Sequence, residues 1–308
     1  MSHDHSHAHS HSHGGSHRGR LAIAFGITAT ILIAEVIGAI WTGSLALLVD
    51  AGHMLTDTFG LLMAFIAATL MTRPATDRRT WGWQRAEVLA AGAQAAILLA
   101  VGLYAVVEGI RRMIEPPEVS STGLLIFGIL GLAGNVVSIA VLMGGRDANL
   151  NLRAAFLEVV NDALGSVAVI ISAIVIAVSG WTRIDALASI VIAALIVPRA
   201  ILILREAGNI LLETTPAGLD LAEVRHHLLE LPHVLDVHDL HASQIATGVP
   251  VLTAHVVVTD ECFTDGCTPN LLDQVQECVA EHFDLSVEHS TFQFEPASHK
   301  DHEPGAHT

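Results

Sequence analysis

The chain reads as a polytopic α-helical membrane protein, six transmembrane helices followed by a C-terminal cytoplasmic α+β domain, and three observations predict this. Of 308 residues, 52% are hydrophobic and only 15% charged, and the mean hydropathy of +0.54 lies beyond the range of soluble domains. Apolar runs fall at 21–41, 45–71, 86–110, 121–143, 154–178 and 184–204, each able to cross about 30 Å of hydrocarbon as a helix. After residue 208 the pattern changes to short mixed elements.

The opening MSHDHSHAHSHSHGGSHRGR interleaves seven histidines with Ser, Asp and Ala. It has nothing to build a core with, so residues 1–20 are expected to be a disordered, metal-gathering tail. The first apolar run follows this tail and has no small-residue cleavage motif after it, so it is expected to remain as a span rather than act as a signal peptide. Arg18, Arg20, Arg73, Arg78, Arg79, Arg85, Arg146, Arg153, Arg199 and Arg205 fall on or near one side of the spans; Arg111, Arg112 and Arg183 fall on the other. Short basic loops stay in the cytoplasm. This predicts a multi-pass protein of the inner or plasma membrane with both termini cytoplasmic.

Residues 21–208 then form the membrane domain and 209–296 a cytoplasmic one. A helix is expected over 219–231, stopped by Pro232. Strand-like VLDVHDLHASQI and PVLTAHVVV follow, then a helix opened by Thr268 and Pro269 and running through Phe283, then the strand SVEHSTFQFE. About 88 residues bury a modest core, which suits support from a partner subunit. Residues 297–308 form a second tail with His299, His302 and His307.

Residues 206–308 hold 18 acids against Arg225 and Lys300, so the net charge of −16 belongs to this part of the chain. Such a surface disfavours nucleic acid and favours cations. Cys262, Cys267 and Cys278 all lie here, on the side where disulfides are not expected, and read as thiols or ligands.

Ionisable residues deep in the spans are few. Glu35 is one; the others fall in two pairs at i and i+4, His53 with Asp57 in LALLVDAGHMLTDTFGLLMAF and Glu158 with Asp162 in FLEVVNDALGS. Each pair leaves one face of its helix, about 6 Å apart along the axis. Acids at such depth face a bundle interior or a water-filled cavity and mark ion paths. Together the four offer one imidazole nitrogen and three carboxylates, a set suited to Zn²⁺ or a similar divalent ion. An empty site of three carboxylates takes up protons to be tolerated in a low dielectric, so metal release and protonation are linked. The chemistry is that of a proton-coupled cation exchanger with alternating access.

Asp50 and Asp185 are expected near the outer face, and Glu108 at the outer end of the third span, with attraction at a mouth or plain solvation as equal accounts. Asn135 suits an interhelical hydrogen bond, and Gly128, Gly131 and Gly134 suit close helix packing. No H-E-x-x-H occurs, which disfavours an intramembrane metalloenzyme. A metal-sensing scaffold is the third option, suggested by the acidic tail domain.

The stretches GSLALLVDAGHMLTD, WGWQRAEVLAA, NLRAAFLEVVNDALGSVAVI and the closing HSTFQFE resemble the cation diffusion facilitator family, in its cobalt-zinc-cadmium resistance and zinc-exporter branch. The resemblance covers about residues 20–296 and implies a homodimer with a ferredoxin-like cytoplasmic domain that binds metal. It implies metal ligands at His53, Asp57 and Asp162, with Glu158 departing from a usual histidine. It implies cytoplasmic ligands at His238, His255 and His289, to which Cys262 and Cys267 could add thiolates. Arg79 and Trp83 stand where some members carry loop histidines, so that loop site is expected to be absent. The implied activity is export of a divalent metal, zinc first with cadmium and cobalt, in exchange for protons. Manganese or iron(II) is the alternative that Glu158 raises. No resident cofactor and no catalytic residue is implied; metal and protons are cargo.

Overall fold

The structure is a computed structural model that describes residues 13–143 and 150–299, with side chains from 23 to 143 and from 156 to 299. The first part of the histidine tail, the loop holding Arg146, and His302 and His307 lie outside the described residues. Six long helices come first: α1 (His13–Thr42), α2 (Leu45–Met71), α3 (Arg85–Ile114), α4 (Ser121–Met143), α5 (Leu150–Ser179) and α6 (Arg183–Leu211). All six contain a stretch long and apolar enough to cross a membrane. Helix α1 starts at His13, so residues 13–20, expected as disordered, are helical; extending a helix already nucleated by an apolar run costs little. The expected boundary at 208 falls inside α6.

The chain divides into two compact units, one of residues up to 61 and 94–201, the other of 62–93 and 202 onwards. In the first, α4 packs against α1 and α5 through its glycines. A Cβ on Gly134 would lie 2.5 Å from Ile31, and one on Gly128 would lie 2.9 Å from Ile170, so the small-residue reading of this helix holds. Leu45, Leu47, Val49, Leu124, Val169 and Ala193 belong to the packed core of this unit.

Polar groups also fasten the helices. Asp185, at the start of α6, is buried; its carboxylate accepts from Ser44 Oγ at 2.5 Å and from the Leu45 amide at 2.7 Å. It therefore caps α2 from another helix, supplying an acceptor and a negative charge to orphan donors. Glu108 accepts from Arg112 Nε at 3.0 Å, and Arg112 also donates to Gly43 O at 2.6 Å. Asp185 is thus not a solvated charge, and its partners stand 140 and 141 residues away in the chain, whereas Glu108 pairs with Arg112 on its own helix. Asp50, placed near the outer face by the same reasoning, is 2% exposed.

In the second unit, Arg85 pairs with Glu213 at 2.7 Å. Helix α7 (Leu221–Leu229) is capped by Asp220, which accepts from the Ala222 amide at 2.8 Å. Strands β1 (Val234–Ala246) and β2 (Val249–Val258) form an antiparallel hairpin whose turn places Gly248 at φ 73°, a conformation glycine adopts without strain. Helix α8 (Thr268–Glu281) then crosses over, and β3 (His289–Pro296) returns parallel to β2. The order αββαβ matches the expectation. The sheet order β1-β2-β3 presents a face on which Val224, Leu228, Leu252, Val256, Leu271 and Val275 close the core.

Candidate metal sites

Helix periodicity sets His53 and Asp57 on one face of α2, with His53 Nδ1 at 3.3 Å from Asp57 Oδ2. Helix α5 brings Glu158 and Asp162 to the same region. Asp57 and Glu158 line the same cavity, and carboxylates gathered away from water repel when ionised, so a proton or a cation between them is favoured. Gly60 leaves room for Gln94, because a Cβ there would overlap the Gln94 amide.

Asp57, Glu158 and Asp162 line a cavity of about 220 Å³ together with Met54 and Val159. His53 lines a second, of about 270 Å³, with Asp50, Asn161 and Arg199. His53, Asp57 and Asp162 are buried and Glu158 half-buried. Yet His53 Nδ1 and Asp57 Oδ2 have only their ion-pair contact with each other at 3.3 Å, and Asp162 Oδ1 has no hydrogen-bond partner. Buried orphan atoms of this kind cost about 1–3 kcal/mol each unless something satisfies them. The quartet is loose: among the described residues, no three of its ligand atoms lie within 4.8 Å of one another.

Sequence reasoning missed Arg199. It counted this residue only toward topology, whereas Arg199 lines the cavity that holds His53 and Asp50. Three carboxylates, one guanidinium and one dication sum to zero. Without Arg199 the loaded site would keep one negative charge. A further buried polar group lies beside the quartet: Asp50 faces Gly165, Glu35 faces Gly131 and Ser166, and Asn135 Nδ2 donates to Ser166 Oγ at 3.4 Å. The interhelical role read for Asn135 is observed.

The cytoplasmic set is tighter. His238 and His255 stand opposite each other in the β1–β2 register, ring centroids 5.2 Å apart. Glu295 on β3 lies between them, Oε1 at 2.8 Å from His255 Nδ1 and Oε2 at 3.7 Å from His238 Nε2. One ligand atom from each falls within 4.8 Å of the others, and Glu295 is 1% exposed. Gln293 Nε2 donates to Glu295 Oε1 at 2.7 Å and orients it.

His289 does not join this group. It sits opposite Val251 at the start of β3, six residues and about 20 Å along the strand from Glu295, and its ring meets Trp81 edge-on at 5.3 Å. The alternation of FQFEP was the available signal, since it puts Gln293 and Glu295 on one face. Arg79, one of the residues in place of loop histidines, instead stacks over Trp83 at 3.7 Å.

Cys262 and Cys267 are bonded as a disulfide, with Cα atoms 5.0 Å apart, against the expectation of thiols or ligands. A 3-10 turn over Asp260–Phe263 and Gly266 at φ 81° fold the chain back so that the sulfurs meet. Compartment reasoning could not see that geometry. Cys278 is a buried free thiol, and burial pushes its pKa above the ordinary value.

The chain is similar to known proteins over nearly its whole length. The family model described as the cation efflux transmembrane domain matches residues 21–212, and that of the cation efflux protein cytoplasmic domain matches 216–297. The chain is 40% identical to the metal cation efflux system protein CzcD of Cupriavidus metallidurans, over 96% of this chain and 90% of that one. It is 40% identical to the zinc transporter ZitB of Escherichia coli, over 96% and 93%. It is 37% identical to a cadmium, cobalt and zinc/H⁺-K⁺ antiporter of Bacillus velezensis, over 97% and 93%. A solved structure of the metal-bound C-terminal domain of the CzcD transporter from Cupriavidus metallidurans covers 25% of this chain and 99% of its own at 35% identity, with a TM-score of 0.22. These relatives are named as transporters, not enzymes, and the chain belongs to the cation efflux family of multi-pass membrane proteins.

Proposed function

We propose that this protein exports zinc from the cytoplasm in exchange for protons, with cadmium and cobalt as further substrates. The observation that carries the reading is the gathering of Asp57, Glu158 and Asp162 on one cavity, with His53 paired to Asp57 at 3.3 Å and Asp162 Oδ1 without a hydrogen-bond partner. A dication entering the quartet displaces the protons that its carboxylates hold when it is empty and satisfies Asp162 Oδ1. Arg199 then makes the loaded site neutral, and protons arriving from the other side restore the empty one. The names of the relatives support the same cargo: one is a metal cation efflux protein, one a zinc transporter, one a cadmium, cobalt and zinc antiporter.

The orientation proposed is that of the arginine distribution, with both termini in the cytoplasm and the chain in the inner or plasma membrane. The functional unit proposed is a homodimer, in keeping with the cytoplasmic domain model that matches residues 216–297. His238, His255 and Glu295 form a cytoplasmic metal site in this reading. Glu158 favours a second reading of the cargo, because a third oxygen hardens the quartet toward manganese or iron(II).

Zinc uptake into proteoliposomes, with opposite proton movement, is expected for the unaltered chain and is expected to vanish in Asp57→Ala. Uptake that survives this change removes the quartet from the path. Glu158→His is expected to narrow competition profiles toward zinc and cadmium; an unchanged profile means that Glu158 is not a ligand.

A further inference from the structure

We infer that the turn of Cys262, Asp265 and Cys267 is a redox-switched site for a soft divalent cation, separate from the membrane quartet and from the histidine pair with Glu295. It rests on the cytoplasmic orientation proposed above. The observation is geometric. One ligand atom each from Cys262, Asp265 and Cys267 falls within 4.8 Å of the other two, a grouping that among the described residues is shared only with His238, His255 and Glu295.

The local chain builds this grouping. The 3-10 turn is tied by the Cys262 amide to Thr259 O at 3.0 Å and by the Thr264 and Asp265 amides to Glu261 O at 3.0 Å. Asp265 Oδ1 accepts from the Cys267 amide at 3.2 Å, which holds the carboxylate over the turn and leaves its second oxygen available. Cys267 caps α8, and Pro269 lies in the first turn of that helix, so the second sulfur stands on a fixed helical end. Cys262 is wholly buried and Cys267 half-buried in the domain core, whereas Asp265 is exposed and leaves a way in for an ion. Asp260 and Glu261 add negative charge in the same turn.

Two states of the sulfurs follow. As a disulfide, the pair has no thiolate to offer. In the dithiol state, which a reducing cytoplasm maintains, two Cys S–H bonds break, two metal–sulfur bonds form, and both protons pass to water. Two thiolates and one carboxylate then hold the ion, with a fourth position for water, a donor set that selects zinc or cadmium over manganese or magnesium. Oxidation needs a small-molecule disulfide as partner. One S–S bond of that reagent breaks as the Cys262–Cys267 bond forms, the two metal-bound thiolates are oxidised, and the reagent leaves as two thiolates that take their protons from water. The metal is released at that step. The site thus reports the thiol state of the cytoplasm and differs in softness from the oxygen-rich quartet.

The test uses the full chain in lipid nanodiscs, reduced with a phosphine in one sample and treated with glutathione disulfide in another. Both are then dialysed against Cd²⁺ without oxygen. The reduced protein is expected to hold one more Cd²⁺ per chain than the oxidised protein and to show the ultraviolet sulfur-to-cadmium charge-transfer band. Cys267→Ser is expected to remove both the band and the redox difference. Asp265→Asn is expected to keep the band and weaken that one equivalent severalfold. Cys262 is too buried to replace safely, so Cys267 is the informative position, and an unchanged size-exclusion profile and zinc uptake show that its variant folds. Equal Cd²⁺ in the two redox samples overturns the inference, as does a band that survives Cys267→Ser, which assigns it to Cys278. Absence of zinc uptake by the unaltered chain would sink the antiport reading while leaving the band untouched, so the two failures are distinct.

Discussion

The membrane quartet and the cytoplasmic triad use the same two ligand types, imidazole and carboxylate, at very different tightness. In the triad, one carboxylate is locked against two imidazoles by a sheet and by Gln293, with a closest approach of 2.8 Å. The quartet is drawn from two helices, opens onto two cavities, and leaves Asp162 Oδ1 without a hydrogen-bond partner. A sheet fixes its side chains through the strand register, whereas helices meeting at small residues can shift by a fraction of a turn. A site that must take up and surrender an ion has reason to be the looser one.

The contrast can be broken most severely at Asp162. Asp162→Asn is expected to lower zinc uptake into proteoliposomes by roughly 100-fold or more, since loss of even an outer partner of a metal costs 10–100-fold. The same isosteric change in the triad, Glu295→Gln, is expected to weaken cytoplasmic zinc binding by about 10–100-fold in equilibrium dialysis while uptake at saturating zinc persists. If Glu295→Gln stops uptake and Asp162→Asn does not, the roles of the two regions are reversed.

Smaller effects sharpen it. Arg199→Gln returns a negative charge to the loaded quartet, so zinc is expected to bind about tenfold more tightly, the scale of a charge–charge interaction of about 1.4 kcal/mol. Turnover should fall with it, read as KM and kcat changing in the same direction. Asp185→Asn weakens the cap on α2 and is expected to cost about 1–2 kcal/mol in reversible unfolding of the detergent-solubilised protein. The smallest effect belongs to Cys278. Because burial raises its pKa in the folded state, its neutral thiol favours the fold at neutral pH, fully so below the ordinary thiol range. That contribution fades as pH rises through the raised value, and alkylation of Cys278 should begin only there.

The spans and the two i,i+4 pairs on α2 and α5 were legible because both obey a helical period that a linear sequence displays directly. His53, Asp57, Glu158 and Asp162 each stand out as ionisable residues in apolar runs, and two i,i+4 pairs need no knowledge of which helix neighbours which. Glu295 was not legible by that route. Its partnership with His238 and His255 depends on β3 running parallel beside β2, a pairing that no local pattern encodes. Arg199 was hidden for another reason: an arginine near the end of a span serves topology equally well whether or not it turns inward. Asp185 looked like an end-of-helix acid, and only its three-dimensional neighbours, Ser44 and Leu45, show it to be a fastener. The closeness of Cys262 and Cys267 was not legible, because it depends on the 3-10 turn and on Gly266 folding the chain back.

The clasp that Asp185 makes on Ser44 and Leu45 has a mechanical consequence. It pins one end of α2, the helix of His53 and Asp57, to one end of α6, the helix of Arg199. Two rods joined at a single tip cannot slide lengthwise past each other; they can only splay and close like the legs of a compass. Any motion that opens the quartet would then change the separation of Arg199 from the carboxylates, so the counter-charge would act as a lever arm whose reach is set at the far tip.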